Sequence, residues 1–413
     1  MFQLTVPLLI ALIFYILIPG WGAFHVRNRC RGFRNRIIRA SLTPLLQYTE
    51  APAAPADENT GFLGYYRFFG SLEAIQDDLI WLRNRHISVS ADLKYCSVYS
   101  IPSFLNPSEP GDNARMDDIP ADEMPQRFDW NKIFSLPEGT KMFIAGALYS
   151  AKGRVVFRNE KETPLTVILY DGEEESLLAR AIRSGRQKNE YWNQFTPVSL
   201  SIGAFALFIL AYSYLRNPFL HFYSIFSICL SLVPAIVLFP PGIFFYFIYK
   251  NLWRKSRVLR AERDLVKLPL RYFMNTGPGG FQPDRLKYGI QIKAPLPNGG
   301  EYACRILPGT EAPGSGAGIR YCSVAEKLLR RTGGTGEYYE FGTPADSGDS
   351  RMPLGPPADP LAEHVILPGN PGELAGECSR QARIFEFLSM ASFFTGLIGN
   401  SILGFIILSL IIR

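Results

Sequence analysis

Apolar segments long enough to cross a membrane alternate with polar regions along this chain. The central segment, residues 197–249, consists of two apolar runs joined by Arg-Asn-Pro-Phe, and Arg216 is its only Asp, Glu, Lys or Arg. A membrane-spanning helix takes about 20 residues, and each run is at least about that long. Because backbone polar groups must be bonded internally within hydrocarbon, the pattern predicts a helical hairpin whose tip is residues 216–219.

Two further apolar segments lie near the ends of the chain, at residues 1–26 and 387–413. A signal peptide needs basic residues before its apolar run and a small-residue cleavage site, but no Lys or Arg precedes Arg27. The first segment is therefore predicted to be a retained span. The third span is less regular, because three prolines interrupt it. It is either one kinked helix or a shorter helix followed by a membrane-surface segment.

Positive charge flanks these spans on one side. The densest run follows the first span and comprises six arginines, here called the arginine collar: Arg27, Arg29, Arg31, Arg34, Arg36 and Arg39. Other basic residues precede the second span and follow the third, whereas the hairpin tip carries only Arg216. Cytoplasmic loops are enriched in Lys and Arg, so the collar is predicted to be cytoplasmic. The pattern thus predicts a multi-pass protein of the cell membrane with both termini extracytoplasmic.

The arginine collar has two compatible interpretations. It is a determinant of topology, and it is also a candidate site for anionic lipid headgroups, which attract clusters of Lys and Arg beside a span. The topological role is the favoured one.

The alternation predicts an α+β integral membrane protein with four transmembrane helices and two cytoplasmic β-rich domains. The predicted segments are transmembrane helix 1 (1–26), a basic juxtamembrane segment and linker (27–60), β-rich domain A (61–196), the hairpin of helices 2 and 3 (197–249), a basic helix with β-rich domain B (250–386) and helix 4 (387–413). Composition agrees, because 47% hydrophobic residues and a mean hydropathy of +0.04 lie between the values typical of soluble and fully membrane-embedded proteins.

Domain A has the clearer secondary-structure pattern. Leu72, Ile75, Leu79 and Leu82 recur at three- and four-residue spacings, which predicts a short amphipathic helix over 71–82. Three strands are predicted after it, at 141–148, 154–158 and 165–170. A second amphipathic helix is predicted after the acidic turn, with its apolar face formed by Leu177, Leu178, Ala181 and Ile182.

No motif in the sequence identifies catalytic, cofactor-binding or metal-binding residues. Asp77 and Asp78 are adjacent and would point to different sides of a helix, so a solvated surface is favoured over a metal site. The glycines at 314, 316 and 318 lack the spacing of a dinucleotide or P-loop motif. The six cysteines include no Cys-x-x-Cys pair and are predicted to be free thiols: Cys30, Cys96, Cys229, Cys304, Cys322 and Cys378.

The first polar region resembles the membrane-anchored GIDE-type ("beside a membrane") module. The resemblance covers residues 61–215 and rests on Gly139 and Gly146 around a strand, Pro164-Leu165 before another strand, an acidic turn, Ser-Leu-Leu and a closing span. The family includes mitochondrial ubiquitin ligases, whose activity resides in a separate RING domain that this chain does not contain. The resemblance therefore implies an anchored β-rich module and transfers no catalytic residue.

The two polar regions also end alike. Val-Ile-Leu stands at 167–169 and again at 365–367, followed each time by a turn, a helix-prone segment and a span. One hypothesis is an internal duplication of a β domain with its membrane helix, and chance similarity is the alternative.

Two classes of function remain. The favoured one is a membrane scaffold or adaptor that presents its two β-rich modules to protein or lipid partners; the alternative is a membrane-embedded enzyme with a site between the modules. Transport is disfavoured, because transporters place ionisable residues within their spans and the predicted spans of this chain carry almost none. The predicted partners are the lipid bilayer with its anionic headgroups and a protein of unidentified kind, with a homo-oligomer as an option and no nucleic acid.

Small and polar residues recur every four positions along the last span, at Ser392, Gly396, Asn400 and Gly404. Small residues let helix backbones approach closely in lipid, and an amide in the middle of a span needs a partner. The stripe is therefore predicted to pack against the central hairpin of the same chain, or against a second copy in a homodimer. If the spacing is accidental, the stripe faces lipid.

Overall fold

The structure, a computed structural model, describes most of the chain. The described residues are 2–47, 61–76, 78–85, 87–101, 124–128, 135–151, 154–186, 189–236, 239–275, 291–308, 337–344 and 352–411. They form two compact units, each assembled from separated stretches of sequence. The helical unit comprises Met1–Gly32, Gln187–Leu259 and Arg380–Arg413, and the sheet unit comprises Phe33–Arg186 and Arg260–Ser379.

Seven α-helices occur among the described residues. They are α1 (Phe2–Ala11), α2 (Ile18–Ala40), α3 (Ser176–Arg183), α4 (Thr196–Leu215), α5 (His221–Ile236), α6 (Gly242–Lys267) and α7 (Pro371–Ile411). A π-helical turn at Leu12–Leu17 makes α1 and α2 continuous, and short 3-10 helices lie at Pro218–Leu220 and Pro269–Asn275. Four helical stretches are long and apolar enough to cross a membrane: Gln3–Ala40, Thr196–Leu215, Pro218–Ala235 and Pro371–Ile411. The prediction of an α+β chain with four such helices is confirmed.

The third predicted span is divided in the structure. α5 ends at Ile236 and α6 begins at Gly242, directly after Pro240 and Pro241. Proline lacks a backbone donor and clashes with the preceding turn, so a continuous helix cannot run through this pair. The run is therefore a shorter helix followed by the start of a second one, and whether that start lies on a membrane surface stays a prediction.

Twelve strands among the described residues form two sheets in the sheet unit. They are β1 (Gly61–Gln76), β2 (Leu79–Asn84), β3 (Ile87–Asp92), β4 (Ser97–Ser100), β5 (Gln126–Phe128), β6 (Lys141–Ala151), β7 (Arg154–Arg158), β8 (Thr166–Leu169), β9 (Ile292–Pro295), β10 (Glu301–Leu307), β11 (Tyr338–Gly342) and β12 (Val365–Pro368). The larger sheet has the order β1-β2-β3-β7-β6-β8-β4-β5, and the smaller has the order β12-β11-β10-β9. Both sheets belong to one compact unit, whereas the sequence divides them between domains A and B.

The larger sheet closes on itself through its first strand. The first part of β1 pairs with β6 and its last part pairs with β2, and Ser71 lies opposite both Lys141 and Arg83. Because β3 also pairs in parallel with β7, the strands β1-β2-β3-β7-β6 complete a ring. A small five-stranded barrel with this order has the topology of the OB fold. Gly70 lies at the bend of β1, where an added Cβ would come within 2.6 Å of the Phe68 ring.

The predicted helix over 71–82 is wrong. These residues belong to β1 and β2, and Leu72 lies directly opposite Leu82 in the hairpin. Leu72, Ile80 and Leu82 are buried in the barrel, while Glu73 and Arg83 are exposed, which is the two-residue period of strands. The reversal of the chain between the two strands produced a leucine spacing that mimics a helix.

The other predicted elements of domain A are confirmed. β6, β7 and β8 occupy the three predicted strands, and α3 follows the acidic turn with its predicted apolar face fully buried. β6 is buried on both faces, because Ile144 and Leu148 point into the barrel interior while Phe143 packs outside it. The outer cluster also contains Ile37 from α2 and Leu177 from α3. The barrel wall and these helices therefore build two adjoining hydrophobic layers.

The proposed duplication finds no support in the sheet topology. β8, which contains 167–169, lies between β6 and β4 inside the large sheet. β12, which contains 365–367, pairs among the described residues only with β11. The two Val-Ile-Leu segments are both strands, but their neighbours differ.

Candidate membrane and partner interfaces

The surface of the helical unit is apolar along its helices. On α4 the outward side chains are large and exposed: Val198, Ile202, Phe205, Phe208, Ile209 and Tyr212. Soluble monomers rarely expose so large a contiguous apolar surface. A helix of 20 residues is about 30 Å long, which matches the hydrocarbon core of a bilayer.

Aromatic residues mark both ends of α4. Before its start, Trp192 is exposed and Phe195 lies 5.7 Å from Trp21 between ring centroids. Near its end, Tyr214 lies 6.4 Å from Tyr223. Trp and Tyr are enriched where membrane helices meet the headgroups, so the two clusters have the composition of interfacial belts.

The opposite side of α4 packs against the first helix. Ser199, Gly203, Leu207 and Ala211 recur every four residues, and all are buried. Ser199 Oγ donates to the Phe14 carbonyl at 2.6 Å, and an added Cβ at Gly203 would come within 2.6 Å of Phe14 Cβ. Sequence reasoning identified such a stripe only in the last span, although the same spacing of small residues is present here.

The predicted stripe of α7 lies against residues of the central hairpin segment. Ser392 Oγ donates to the Phe245 carbonyl at 3.1 Å, and Asn400 Nδ2 donates to the Phe239 carbonyl at 2.8 Å. An added Cβ at Gly396 would come within 2.7 Å of Phe245 Cβ, and Gly404 is half-buried. Asn400 thus bonds a carbonyl in the break between α5 and α6, where the helical ladder is interrupted. Pairing of two copies through this stripe stays a prediction.

The arginine collar is not uniform. Arg27, Arg29, Arg31 and Arg39 are exposed on α2, Arg36 is half-buried, and Arg34 is buried. The buried side of α2 contains Cys30, Phe33, Ile37 and Ala40 at helical spacing, and Arg34 borders it. Only Arg27, Arg29 and Arg31 belong to the helical unit, so they are the members best placed beside the apolar surface.

The basic segment at α6 divides in the same way. Lys250, Arg254 and Lys255 are exposed. Arg257 is buried, with its guanidinium 4.3 Å from the Trp253 ring centroid and 3.4 Å from the Glu190 carboxylate. Arg257 therefore has a structural role inside the protein that the run of basic residues in the sequence does not indicate.

A short segment before α4, residues 189–196, connects several helices of the helical unit. Tyr191 donates to the Tyr15 carbonyl, Asn193 Nδ2 donates to the Pro19 carbonyl at 3.1 Å, and Asn189 Nδ2 donates to the Tyr249 hydroxyl at 3.0 Å. Sequence reasoning missed this segment. Its only signal was two asparagines in a polar stretch beside a span.

The sheet unit contains a buried ion pair. Arg67 on β1 is fully buried and pairs with Asp359, which also accepts from the Leu361 backbone N–H at 3.0 Å. The Arg67 backbone bonds to Pro44 and Leu46. A fully buried charge is stable only when its partner is present, so loss of either member of this pair should strongly destabilise the sheet unit.

A second charged cluster crosses the smaller sheet. Glu340 on β11 accepts hydrogen bonds from Arg305 on β10 and, at 3.1 Å, pairs with His364 Nε2. Burial raises the pKa of Glu340, but the hydrogen bonds from His364 and Arg305 outweigh it, so the pKa is lowered overall. An ionised, fully engaged carboxylate holds the strands together and is poorly suited to accept a proton.

The described residues offer no metal centre, since they hold no group of three or more His, Cys, Asp and Glu side chains suitably placed. Five cysteines among the described residues are in the thiol form, and burial is the main reason that the pKa of Cys96 rises to about 12. Cys322, Asp77 and the glycines at 314, 316 and 318 lie outside the described residues.

Comparison with known proteins returned no relative. No family model, no curated protein and no solved structure matches the chain.

Proposed function

We propose that this chain is a multi-pass protein of the cell membrane that acts as a scaffold or adaptor. Its helical unit anchors it in the bilayer, and its sheet unit binds protein partners in the cytoplasm. The observation that carries the proposal is the surface of the helical unit, where exposed apolar side chains end at aromatic clusters and exposed arginines.

The distribution of exposed cations supports the orientation. Arg27, Arg29 and Arg31 follow the first span and Lys250 follows the third, whereas the hairpin tip contains Arg216 alone. The positive-inside rule then assigns the collar to the cytoplasm and the tip to the outside.

The same exposed arginines support a contact with anionic lipid headgroups. Arg27, Arg29 and Arg31 stand one to three turns beyond Trp21, an exposed residue of the interfacial type. A basic side chain beside an anionic leaflet contributes about 1 kcal/mol, so three of them form an effective site.

The resemblance to the GIDE-type module remains part of this proposal. The barrel strands β1, β2, β3, β6 and β7 all lie within the region that resembles the module, and a β-rich body next to a span is what the resemblance implies. A scaffold requires no catalytic group.

Cysteine labelling of intact cells tests the orientation. A membrane-impermeant maleimide should label a cysteine introduced at Asn217 in the tip and should not label one at Lys94, an exposed position of the sheet unit. Cysteines at Ser108 and Ser347, outside the described residues, should also stay unlabelled. Labelling at Lys94 in intact cells would reverse the orientation.

Lipid analysis of the purified protein tests the collar. Exchange of Arg27, Arg29 and Arg31 for Gln should lower the ratio of phosphatidylglycerol to phosphatidylcholine retained from mixed micelles, as measured by mass spectrometry. The matched control removes three exposed charges from the sheet unit, at Arg83, Arg154 and Lys293. An equal loss in both variants would mean that net charge, not the collar, attracts the lipid.

Purification of the tagged protein in mild detergent, followed by mass spectrometry, tests the scaffold role. A protein partner recovered reproducibly in stoichiometric amounts supports it. A purified chain that carries a bound small molecule and no protein partner would favour the enzyme instead.

A further inference from the structure

Two buried arginines meet inside the sheet unit, beside the segment that joins β11 to β12. The first is Arg67, which is fully buried and whose Nη2 donates to the Asp359 carboxylate. Its Nε and Nη1 are buried as well, and they have no acceptor among the described residues. Nearly all buried polar atoms in proteins have a hydrogen-bond partner, so two unpartnered nitrogens on one buried guanidinium point to a bound group.

Strand register places the Arg67 side chain outside the barrel. Phe68 belongs to the hydrophobic cluster of the barrel interior, whereas Phe69 belongs to the outer cluster. Side chains alternate between the faces of a strand, so Arg67 points outward together with Phe69. Directly opposite Arg67 on β6 lies Ala145. The cross-strand neighbour therefore offers neither an acceptor nor a large side chain.

The second arginine, Arg271, belongs to the same hydrogen-bond network. Asp359 accepts from the Leu361 backbone N–H at 3.0 Å, and the Leu361 carbonyl accepts from Arg271 Nη2 at 2.6 Å. Arg271 is buried and lies in the short helix Pro269–Asn275. The network thus runs from Arg67 through Asp359 and Leu361 to Arg271.

Arg271 has only uncharged acceptors. Its Nη1 donates to the Leu268 carbonyl at 2.9 Å, and its Nη2 donates to the Tyr272 hydroxyl at 2.7 Å as well as to Leu361. Its Nε is buried without an acceptor among the described residues. Carbonyl and hydroxyl oxygens satisfy N–H groups, but they do not neutralise a guanidinium, which is always charged in proteins. The two cations therefore share one hydrogen-bonded carboxylate, that of Asp359.

The Tyr272 hydroxyl reports how close these charges lie to one another. Burial raises the pKa of Tyr272, Arg271 lowers it, Asp359 raises it and Arg67 lowers it. The strongest charges acting on this hydroxyl are thus two cations and one carboxylate.

A further carboxylate, that of Glu363, does not cancel the excess. Tyr302 packs against Tyr272 with ring centroids 5.0 Å apart. Burial raises the pKa of Tyr302, and the lowering effect of Arg271 is larger than the raising effect of Glu363. Glu363 is also only half-buried, so solvent screens its charge. A water molecule would satisfy the N–H groups of the arginines, but it would not supply the negative charge that a buried cation needs.

We propose that the sheet unit binds one small inorganic anion of the size of chloride beside the Arg67 and Arg271 guanidinium groups. The anion accepts from guanidinium nitrogens that have no other acceptor, and it neutralises the second arginine. Complete burial excludes a lipid headgroup or a peptide carboxylate, because the attached chain would have to pass through a close-packed interior. The ion joins β1 to the segment that precedes β12, and its binding does not depend on the scaffold role.

Thermal unfolding of the full chain in a non-ionic detergent tests the proposal. Melting is followed by circular dichroism at constant ionic strength in sodium chloride and in sodium gluconate, whose anion is too large for a buried site. A ligand that binds only the folded state should raise the melting temperature by about 5 °C at roughly a hundredfold excess over its dissociation constant. We expect this rise for the unmodified chain in chloride.

The test variant is Arg271→Gln, which removes the excess charge and keeps an amide that can donate to the Leu361 carbonyl. The matched control is Arg83→Gln, which removes the same charge from an exposed position of the sheet unit. The control should keep the rise in chloride, whereas Arg271→Gln should lose most of it. If Arg271→Gln does not fold, the double variant Arg67→Met with Asp359→Leu takes its place, because it removes the unpartnered nitrogens of Arg67 without leaving an unpaired carboxylate.

Equal melting of the unmodified chain in chloride and in gluconate would overturn the proposal, since the unpartnered nitrogens would then be hydrated only. An undiminished rise in Arg271→Gln, or in the double variant that replaces it, would also overturn the proposal, because chloride would then act elsewhere on the protein. Loss of the rise in Arg83→Gln would mean that net charge, and not a buried site, attracts the anion.

Discussion

The apolar helices of the helical unit and the strands of the sheet unit satisfy their buried polar groups differently. Along α4, α5 and α7 the buried polar side chains are small and uncharged, and they donate to backbone carbonyls, whereas the buried Arg257 of the same unit lies in the polar part of α6 and pairs with Glu190. Ser224 Oγ donates to Ala211 at 2.8 Å, and Asn400 donates to Phe239. In the sheet unit arginines are buried instead, and carboxylates neutralise them, as in the pairs Arg67–Asp359 and Arg305–Glu340.

The difference follows from what surrounds each unit. The sheet unit excludes water from an apolar interior, so the hydrophobic effect can offset the cost of a few buried ion pairs. If the helical unit lies in the bilayer as proposed, that driving force is missing between its helices, and close backbone approach has to supply the packing energy. Small residues such as Gly203 and Gly396 therefore allow the close packing of the helical unit, whereas large apolar side chains such as Phe143 and Leu148 fill the interior of the sheet unit.

The largest effect is expected from breaking the buried pair. Asp359→Ala leaves the Arg67 guanidinium buried without its carboxylate, which should destabilise the chain by about 3–5 kcal/mol. The measurement is the unfolding of the sheet unit followed by circular dichroism of the detergent-solubilised protein.

Two further variants sharpen this result. Glu73→Gln removes one partner of an exposed pair with Arg83 and should cost no more than about 1 kcal/mol. The double change Arg67→Met with Asp359→Leu should recover much of the loss, because no unpaired charge remains. If Asp359→Ala costs no more than Glu73→Gln, water reaches the pair and the contrast between the units fails.

A smaller loss is expected from filling a helix contact. Gly396→Ile places its Cβ against Phe245 and should cost about 1–3 kcal/mol as an overpacked contact. Gly399 is the matched control, because an added Cβ there meets nothing within 4 Å. Thermal unfolding in nanodiscs should separate the two variants, and equal melting would place the stripe of α7 against lipid.

Removing a single amide should have a still smaller effect. Asn400→Leu removes one of two donors to the Phe239 carbonyl, which still accepts from the Ile243 N–H at 3.2 Å, and should cost about 0.6 kcal/mol, the average for hydrogen bonds between membrane helices. Melting of this variant in the same nanodiscs checks the value. A loss as large as that of Asp359→Ala would mean that the helical unit also depends on strongly desolvated polar groups.

The mildest effect is expected in acid. The pKa of Glu340 lies below its ordinary value of 4.5 in the folded state, so the folded state binds this proton less tightly than the unfolded state does. The stability that Glu340 contributes is complete above about pH 4.5 and is lost as the pH falls through the folded value. Melting curves of the unmodified chain and of Glu340→Gln should therefore converge below pH 4.5 and differ above it. A difference in melting temperature that stays the same above and below pH 4.5 would contradict a lowered pKa for Glu340.

Local pattern alone determined much of the architecture. The runs of apolar residues identified four helices long enough to cross a membrane, because length and composition are properties of a single segment. The strands β6 to β8 and the helix α3 were also predictable, since their apolar periods are read from adjacent residues.

Only the tertiary structure decided which of these segments meet. The 71–82 segment has helical leucine spacing but forms a hairpin, because its two halves pair with each other and are buried against side chains of β6, far along the chain. The burial of Arg34, the partner of Arg67 and the position of Asn193 likewise depend on residues far away in sequence. Closure of the barrel through β1 and β6 has the same cause, because a pattern along the chain indicates which face of a segment is apolar but not which residues cover it.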